Sequence, residues 1–337
     1  MDQIMKKLQA YCKNEAFLKA LSMPKDTTVQ FMPLAQGEYH KNFLFQHPVT
    51  NKKYVFRINY GSQMHLENQI AYEFGALQLL KTSGRTPIPV FLDDSKQFFL
   101  HGILVMEFIE GRPLSYETDL KNAAICLADV HATEISEPDK LIEIKNPIMG
   151  ILNECEEMFK VYNESDVSNP KTVQTIKKLM ELAYEKAKLL HDTDYKNVCI
   201  NTELNNHNFI VEKSTGFVSM IDWEKPFWCD PAQDLGHMLA PTTTFWKTDV
   251  ILEDCIVQDF ITEYQVAVNG RINMGDLRTR VNIFLPVTCL RGITWCAMAY
   301  VEYRKPGRAI ANPETFEKIK AYLSDDFLEK IHLFLLK

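Results

Sequence analysis

The spacing of apolar residues in this 337-residue chain changes near residue 115. Before that point, apolar residues form short runs rich in aromatic and β-branched side chains, separated by turn-like segments, which is typical of an antiparallel sheet. These runs lie at 29–34, 42–46, 54–59, about 98–100 and 103–108. Residues 67–81 differ, because their apolar residues recur at helical spacing, and Thr86–Pro89 then ends this helix. The first third is therefore predicted to be a sheet with one helix.

Beyond residue 115, helical spacing dominates, in the segments 120–131, 173–190, 251–268 and 314–336. The apolar runs shorten again between Val198 and Asp222, where residues 208–211 and 217–222 flank a turn and predict a hairpin. A mostly β first part, a linker at 110–113 and a helical second part with one embedded hairpin predict an α+β, two-lobed protein-kinase-like fold. The predicted lobes are residues 1–110 and 111–337.

Charge and composition restrict the classes of partner. The chain has 37 Lys and Arg against 44 Asp and Glu, a net charge of −7. Such a chain has no overall attraction for phosphate backbones, so nucleic acid is not expected as a partner, whereas a small cation suits the acidic balance.

Three further features indicate where the chain resides. The longest apolar stretch, Val281–Val301, contains Asn282, Pro286 and Arg291 and is predicted to be a buried helix rather than a membrane span. The first residues lack the pattern of a secretory signal. The eight cysteines show neither metal-ligand spacing nor a disulfide framework. A cytoplasmic protein without a membrane partner is therefore expected.

Polar residues suited to phosphoryl transfer occur in order along the chain. That reaction needs a cation on the phosphates, oxygen ligands for magnesium and a carboxylate that orients the attacking hydroxyl. Arg57 lies in a predicted strand, and Glu73 lies in the next helix, where it can pair with Arg57. Glu203 stands five residues before Asn208, and Asp222 follows Asn208 by fourteen residues. Asp and Asn also favour turns beside hairpins, so a purely structural role is the alternative for Asn208 and Asp222.

The segments around these residues resemble the aminoglycoside phosphotransferase and choline kinase superfamily of small-molecule kinases. The catalytic loop of that superfamily, His-Gly-Asp-Leu-His-Pro-Gly-Asn, aligns without gaps on Asn201–Asn208. Its metal motif is similar to Ile221-Asp-Trp-Glu224, and its Asp-Pro-Ala-x-Asp-Leu motif is similar to Asp230–Leu235. Tyr54–Ile58 resembles the strand that bears the cation, and Val105–Leu114 resembles the interlobe hinge.

The resemblance implies transfer of the γ-phosphate of ATP, or alternatively GTP, to a hydroxyl of a small cationic metabolite such as an amino alcohol or aminoglycoside. It implies that residues 1–110 bind the nucleotide and that residues 111–337 carry the catalytic loop and the acceptor site. Catalytic roles fall on Glu203, Asn208 and Asp222, and the last two are the implied Mg2+ ligands. The residues implied in nucleotide binding are Arg57, Glu73, Gly37, Met106, Glu107 and Ile109.

Two residues depart from the family pattern, because Glu203 replaces the family's Asp and Asn201 replaces its His. A displacement of about 1 Å can cost about a hundredfold in rate, so the longer side chain matters. A nucleotide-binding pseudokinase that acts through a protein partner is therefore the alternative. The retained Asn208 and Asp222 argue against it. The position of Asn201 resembles a structural site that holds the catalytic loop by hydrogen bonding.

No motif after Ala240 identifies the acceptor, which is expected to contact the catalytic loop and the helices that follow Ala240. Aromatic ring faces attract cations, so Trp246 and Trp295 are candidate contacts, although aromatic residues at helical spacing are also typical of a packed core. Glu224 is the candidate carboxylate for contact with the cationic acceptor. Asp230 and Asp234 are expected to brace the catalytic loop, with Asp234 satisfying backbone donors at the start of the following helix.

Overall fold

The computed structural model describes residues 2–37, 39–190, 194–305 and 313–336, so Glu38, next to the candidate residue Gly37, lies outside the described residues. The chain divides into two compact units. Unit 1 comprises residues 1–114, 126–142 and 208–226, and unit 2 comprises residues 115–125, 143–207 and 227–337. The lobe boundary at residue 110 stays a prediction.

Unit 1 contains a five-stranded antiparallel sheet with the strand order β1-β2-β3-β5-β4. Its strands are β1 (Phe31–Gln36), β2 (His40–Gln46), β3 (Lys53–Asn59), β4 (Pro89–Asp93) and β5 (Gly102–Glu107). Arg57 pairs with Asn42 on β2 and with Leu104 on β5, so it lies in the middle of the sheet. The predicted antiparallel sheet is thus confirmed.

The helices of unit 1 position this sheet. They are α1 (Asp2–Tyr11), α2 (Glu15–Ala20) and α3 (Gln69–Leu80). Phe17 of α2 is fully buried and contacts the rings of Tyr11, Phe45 and Phe56 at centroid distances of 5.6–6.1 Å. Such tilted and edge-to-face ring pairs add to the stabilisation from burial alone. Helix α3 begins where the Asn68 side chain accepts a hydrogen bond from the Ala71 N–H.

Two details of this unit differ from the prediction. Residues 98–100 do not form a strand; instead Phe99 is buried in the aromatic core and Phe98 contacts Tyr11 at 5.2 Å. The helix ends before Thr86, as expected, but β4, which begins at Pro89, was not predicted. Proline is compatible with this position because β4 is an edge strand, where a missing N–H leaves no neighbour unpaired.

A second sheet of unit 1 consists of β6 (Arg112–Pro113), β8 (Phe209–Val211) and β9 (Val218–Met220), in the order β6-β8-β9. The antiparallel pair β8–β9 confirms the predicted hairpin. The Ile221 N–H donates to the Asn208 carbonyl oxygen at 2.8 Å, which closes the open end of this hairpin. Asn208 and Asp222 therefore lie at the same end.

Unit 2 is mainly helical, with one short antiparallel pair, β7 (Val198–Ile200) and β10 (Phe227–Cys229). Helix α4 (Leu120–His131) begins in unit 2 and ends in unit 1. The other helices, all in unit 2, are α5 (Pro147–Asn163), α6 (Pro170–Ala187), α7 (Pro231–Leu239), α8 (Pro241–Lys247), α9 (Asp254–Val268), α10 (Leu277–Arg304), α11 (Pro313–Tyr322) and α12 (Asp325–Leu335).

Helix α10 is the central helix of this unit and packs against α5, α6, α7 and α8. By length and composition it is the one helix among the described residues that is apolar enough to cross a membrane, but 72% of its most apolar window is buried within the protein. This burial confirms the prediction of a core helix for Val281–Val301.

The predicted helix at 314–336 is wrong in one respect, because the structure has two helices there, α11 and α12. Ser324 causes the interruption: its hydroxyl accepts the Phe327 N–H at 3.3 Å and caps the start of α12. Serine side chains satisfy such backbone donors at helix starts better than most residues do.

Candidate functional site

Arg57 and Glu73 form a buried ion pair in unit 1. The Arg57 Nη1 group donates to Glu73, and its Nε group donates to Asn42 Oδ1 at 3.1 Å. Burial lowers the pKa of Arg57, but Glu73 and Asp222 outweigh it and raise that pKa above its usual value. Burial raises the pKa of Glu73, although Arg57 opposes the shift. The strand therefore presents a fixed positive charge.

Asp222 lies beside this pair and two residues after β9. Its Oδ1 atom accepts a hydrogen bond from Arg57 Nη1 at 3.2 Å, and its side chain is 27% exposed. Its φ angle is 65°, in the left-handed region that Asp and Asn tolerate better than most residues do. The tight backbone turns the carboxylate towards Arg57 while leaving part of it open to solvent.

The donor set at the end of the hairpin suits magnesium. Asn208 and Asp222 supply an amide and a carboxylate, which are the hard oxygen ligands that Mg2+ prefers. The hydrogen bond between Ile221 and Asn208 holds the two residues on neighbouring chain segments. The chemistry of this donor set is therefore compatible with the ion, and the assignment of Asn208 and Asp222 as its ligands stays a prediction.

Glu224 joins the same group of charges through His40, a residue that the sequence analysis did not identify. The His40 Nδ1 and Glu224 Oε2 atoms are 3.1 Å apart, and both side chains are largely buried. His40 also explains Gly37, because a Cβ atom at position 37 would lie 2.8 Å from His40 Nε2. The position of His40, three residues after the candidate residue Gly37, was the available signal.

The predicted hinge residues Met106 and Glu107 are the last two residues of β5, and Ile109 follows this strand. Met106 is buried, and the Glu107 N–H donates to the Ile88 carbonyl oxygen at 2.9 Å. The Phe108 N–H donates to the Lys53 carbonyl oxygen at 3.0 Å. These two bonds attach the segment to the chain at Ile88 and at Lys53. The base of a nucleotide would therefore bind to other backbone groups, such as those of Ile109.

Glu203 belongs to unit 2, in the loop that follows β7. The N–H groups of Asn201 and Thr202 each donate to the Asp234 carboxylate at 2.8 Å. The Glu203 N–H donates to Asn201 Oδ1 at 3.1 Å, so Asn201 holds the loop, as predicted. Asp234 braces the catalytic loop, which confirms that expectation and fixes the backbone at Glu203.

The cap of α7 differs from the prediction. Asp230, and not Asp234, satisfies the donors at the start of this helix, because Asp230 Oδ1 accepts the Ala232 N–H at 2.8 Å. The Asp230 carboxylate also binds Arg280, with Nε at 2.7 Å and Nη2 at 3.2 Å, and both side chains are almost fully buried. Asp230 therefore braces the loop only through α7, which carries Asp234.

Replacing Asp230 with Asn is expected to lower the free energy of unfolding by about 3 kcal/mol, because it removes the carboxylate that compensates the buried charge of Arg280. The amide oxygen can still cap the helix, so the change isolates the charge. Chemical denaturation measures the shift. Asp249→Asn is the matched control, since that carboxylate is 91% exposed in its pair with Lys318 and should change stability by less than about 1 kcal/mol. Equal midpoints for both variants would contradict the assignment.

Trp246 and Trp295 lie together in unit 2, edge to face at 5.4 Å between ring centroids. Trp246 also contacts the buried Tyr322 at 5.7 Å, and the Lys247 ammonium lies 5.9 Å from the Trp246 centroid. Trp295 is 38% exposed. The two rings thus form the edge of a packed aromatic cluster, with Trp295 the more accessible of the two.

A further ion pair, which the sequence analysis did not predict, interacts electrostatically with Glu203. Arg291 of α10 binds Glu154 of α5, with Nε–Oε2 at 2.9 Å and Nη2–Oε1 at 3.3 Å. Burial lowers the pKa of Arg291, but Glu154 and, more weakly, Glu203 outweigh it and raise that pKa. Glu203 is therefore close enough for its charge to affect the pKa of Arg291 on the central helix.

Comparisons with known proteins agree with this geometry. The model of the phosphotransferase enzyme family matches residues 30–265. A sequence comparison with curated proteins finds no match.

Solved structures similar to the chain include three small-molecule kinases. Spectinomycin phosphotransferase in complex with ADP and spectinomycin has 17% identity and a TM-score of 0.61, over 92% of this chain and 93% of that chain. The choline kinase of Cryptosporidium parvum has 14% identity and a TM-score of 0.60, over 91% of each chain. The ethanolamine kinase of Plasmodium vivax has 14% identity and a TM-score of 0.58, over 90% of this chain and 84% of that chain. These similarities confirm the predicted α+β protein-kinase-like fold.

Proposed function

Because the chain belongs to the phosphotransferase enzyme family, we propose that it transfers the γ-phosphate of ATP to a hydroxyl of a small cationic metabolite, with Mg2+. Family membership itself makes the protein a small-molecule phosphotransferase with a hydroxyl acceptor. The nucleotide, the ion and the acceptor are inferred from individual residues of the two units.

The observation that carries the proposal is the contact of Arg57 with both Glu73 and Asp222. A fixed cation on the central strand can donate to phosphate oxygens, and Glu73 holds it in place. Asn208 and Asp222 would hold Mg2+, which when bound neutralises charge on the transferring phosphoryl group. A buried cation beside a candidate ion ligand, Asp222, is an arrangement suited to phosphoryl transfer.

The adenine base is assigned to the segment after β5. The Glu107 N–H donates to Ile88, directly before β4, and the Phe108 N–H donates to Lys53 of β3. The Glu107 carbonyl oxygen and the Ile109 N–H are therefore the acceptor and donor that we assign to the base. Gly37 allows the chain between β1 and β2 to pass close to His40, and we place the phosphates near this turn.

Glu203 is assigned the role of orienting the acceptor hydroxyl. Its backbone is held by Asn201, which in turn is held by Asp234, so the loop keeps a defined position despite the two departures from the family pattern. A carboxylate placed in this way can accept the hydroxyl proton as the phosphate transfers. The hydrogen bonds described for the Asn201 side chain and the Glu203 N–H hold the loop in place, which supports the enzyme over the pseudokinase alternative.

The acceptor is assigned to unit 2, near Glu203 and the exposed face of Trp295. Carboxylates and an accessible indole both attract a cation. The names of the similar structures supply acceptors to test, namely choline, ethanolamine and spectinomycin.

The test is nucleotide turnover with these three acceptors and kanamycin, using ATP or GTP with Mg2+, and glucose as the neutral control. We expect ADP formation that requires an amine acceptor, a new phosphate ester in the 31P NMR spectrum, and loss of both with EDTA. Binding measurements on Trp246→Ala and Trp295→Ala then locate the acceptor, with the larger loss expected for Trp295. Phosphorylation of glucose alone would overturn the preference for cations, and the absence of any ester over a broad acceptor screen would overturn the proposed function.

A further inference from the structure

We propose that His40, Asp222 and Glu224 form a divalent-metal site with one imidazole nitrogen and two carboxylate ligands, which favours a transition-metal ion such as Mn2+ over Mg2+. One ligand atom from each residue lies within 4.8 Å of the other two. The inference rests on the proposed function, since Asp222 is also the carboxylate assigned to the ion of phosphoryl transfer. It adds two ligands that the motif does not assign to the metal.

The distance between His40 and Glu224 suits a shared ion. Their Nδ1 and Oε2 atoms are 3.1 Å apart. Ligands at about 2.1 Å from a metal, at right angles to each other, lie about 3.0 Å apart. The two side chains therefore need only small rotations to bind one ion, with the hydrogen bond between them replaced by two metal bonds.

The local charge also favours a divalent cation. Three carboxylates, those of Glu73, Asp222 and Glu224, act on the single guanidinium of Arg57. All of these side chains are mostly or fully buried. His40 acts on Glu73 as well. Buried charges require compensation, and a divalent ion next to Asp222 and Glu224 would add positive charge to this acidic group.

The ligands are held in place by neighbours in unit 1. The Gln69 amide donates to the Glu224 carbonyl oxygen at 2.6 Å, and the Tyr72 hydroxyl donates to the Pro226 carbonyl oxygen at 2.7 Å. His40 Nε2 faces Gly37, which leaves Nδ1 as the ligand atom. Such supporting contacts orient ligands before the ion arrives and so increase affinity.

The nitrogen ligand determines the choice of ion. Mg2+ prefers oxygen ligands and releases its waters reluctantly. Imidazole nitrogen is softer than oxygen, and affinity for such mixed sites rises along the first-row transition metals. We therefore expect Mn2+ to bind the nucleotide-free protein and to resist displacement by an equal concentration of Mg2+.

The experiment is an EPR titration of the full chain with Mn2+ and without nucleotide, followed by pulsed EPR of the bound ion. The wild-type protein is expected to bind one Mn2+ and to show 14N modulation from a coordinated imidazole. His40→Asn should remove this signal and weaken Mn2+ binding by about ten- to a hundredfold. Glu224→Gln, which changes neither the size nor the position of its side chain, should weaken binding by a similar factor.

His65→Asn is the matched control, because His65 is exposed in unit 1 and has a φ angle of 56° that Asn tolerates. It should leave the affinity and the 14N signal unchanged. Bound Mn2+ without 14N modulation, or no Mn2+ binding without nucleotide, would overturn the metal inference. In either case, phosphorylation of an amine acceptor would show that the proposed function still holds, so the two failures are distinguishable.

Discussion

Replacing Asp222 with Asn is expected to lower turnover by about a thousandfold, equivalent to about 4 kcal/mol of transition-state stabilisation. The change removes the carboxylate assigned to the metal ion, while Arg57 keeps its ion pair with Glu73 and its hydrogen bond to Asn42. Asn is preferred to Ala, because Asp222 has a φ angle of 65° that Asn adopts with little strain. Steady-state kinetics with the acceptor identified in the turnover panel measure the effect.

The control for this variant is Asp26→Asn, an exposed aspartate of unit 1. It should keep wild-type turnover and unfold at the wild-type denaturant concentration. A folded Asp222→Asn protein that retains turnover within about tenfold of wild type would show that this carboxylate does not hold the essential ion.

Replacing Glu203 with Gln is expected to lower turnover by about a thousandfold while leaving the affinity for nucleotide unchanged. Gln has nearly the same size as Glu but cannot accept the hydroxyl proton. The loop should keep its position, since its backbone N–H groups bind Asp234 and Asn201. Single-turnover measurement of phosphate transfer separates the chemical step from product release.

Glu157→Gln on α5 is the matched control, because Glu157 is an exposed glutamate of the same unit. It should transfer phosphate at the wild-type rate. Transfer by Glu203→Gln at that same rate would exclude the assigned role. Absence of transfer in the wild-type protein, with nucleotide bound and across the full acceptor panel, would instead support the pseudokinase alternative.

Properties that depend on neighbouring residues were predictable from the sequence. The change of apolar spacing near residue 115 identified the sheet and the helical part, because side-chain direction repeats every two residues in a strand and every 3.6 in a helix. The hairpin around residues 213–216 and the pairing of Arg57 with Glu73 followed from the same local patterns and the order of motifs. The family resemblance was confirmed by the match over residues 30–265.

Contacts between distant segments were decided only by the tertiary structure. His40 meets Glu224 although 184 residues separate them, and Arg280 meets Asp230 over 50 residues. Glu224 and Asp230 belong to motifs, but no spacing rule in the sequence identifies His40 or Arg280 as their partners. Burial then makes each contact obligatory, because a charge removed from water must find an opposite charge or a hydrogen bond.

Element boundaries also depended on contacts that the local pattern does not contain. Phe98 and Phe99 have strong strand propensity, yet they join the aromatic core around Tyr11 as irregular chain. Ser324 interrupts a continuous apolar pattern because its hydroxyl caps a new helix. The spacing of apolar residues thus determined which faces of the strands and helices are apolar, and the sequence itself determined the order of the motifs. Packing decided where each element ends and which charges share a site, since burial energy and charge compensation act between segments that the chain brings together only when it folds.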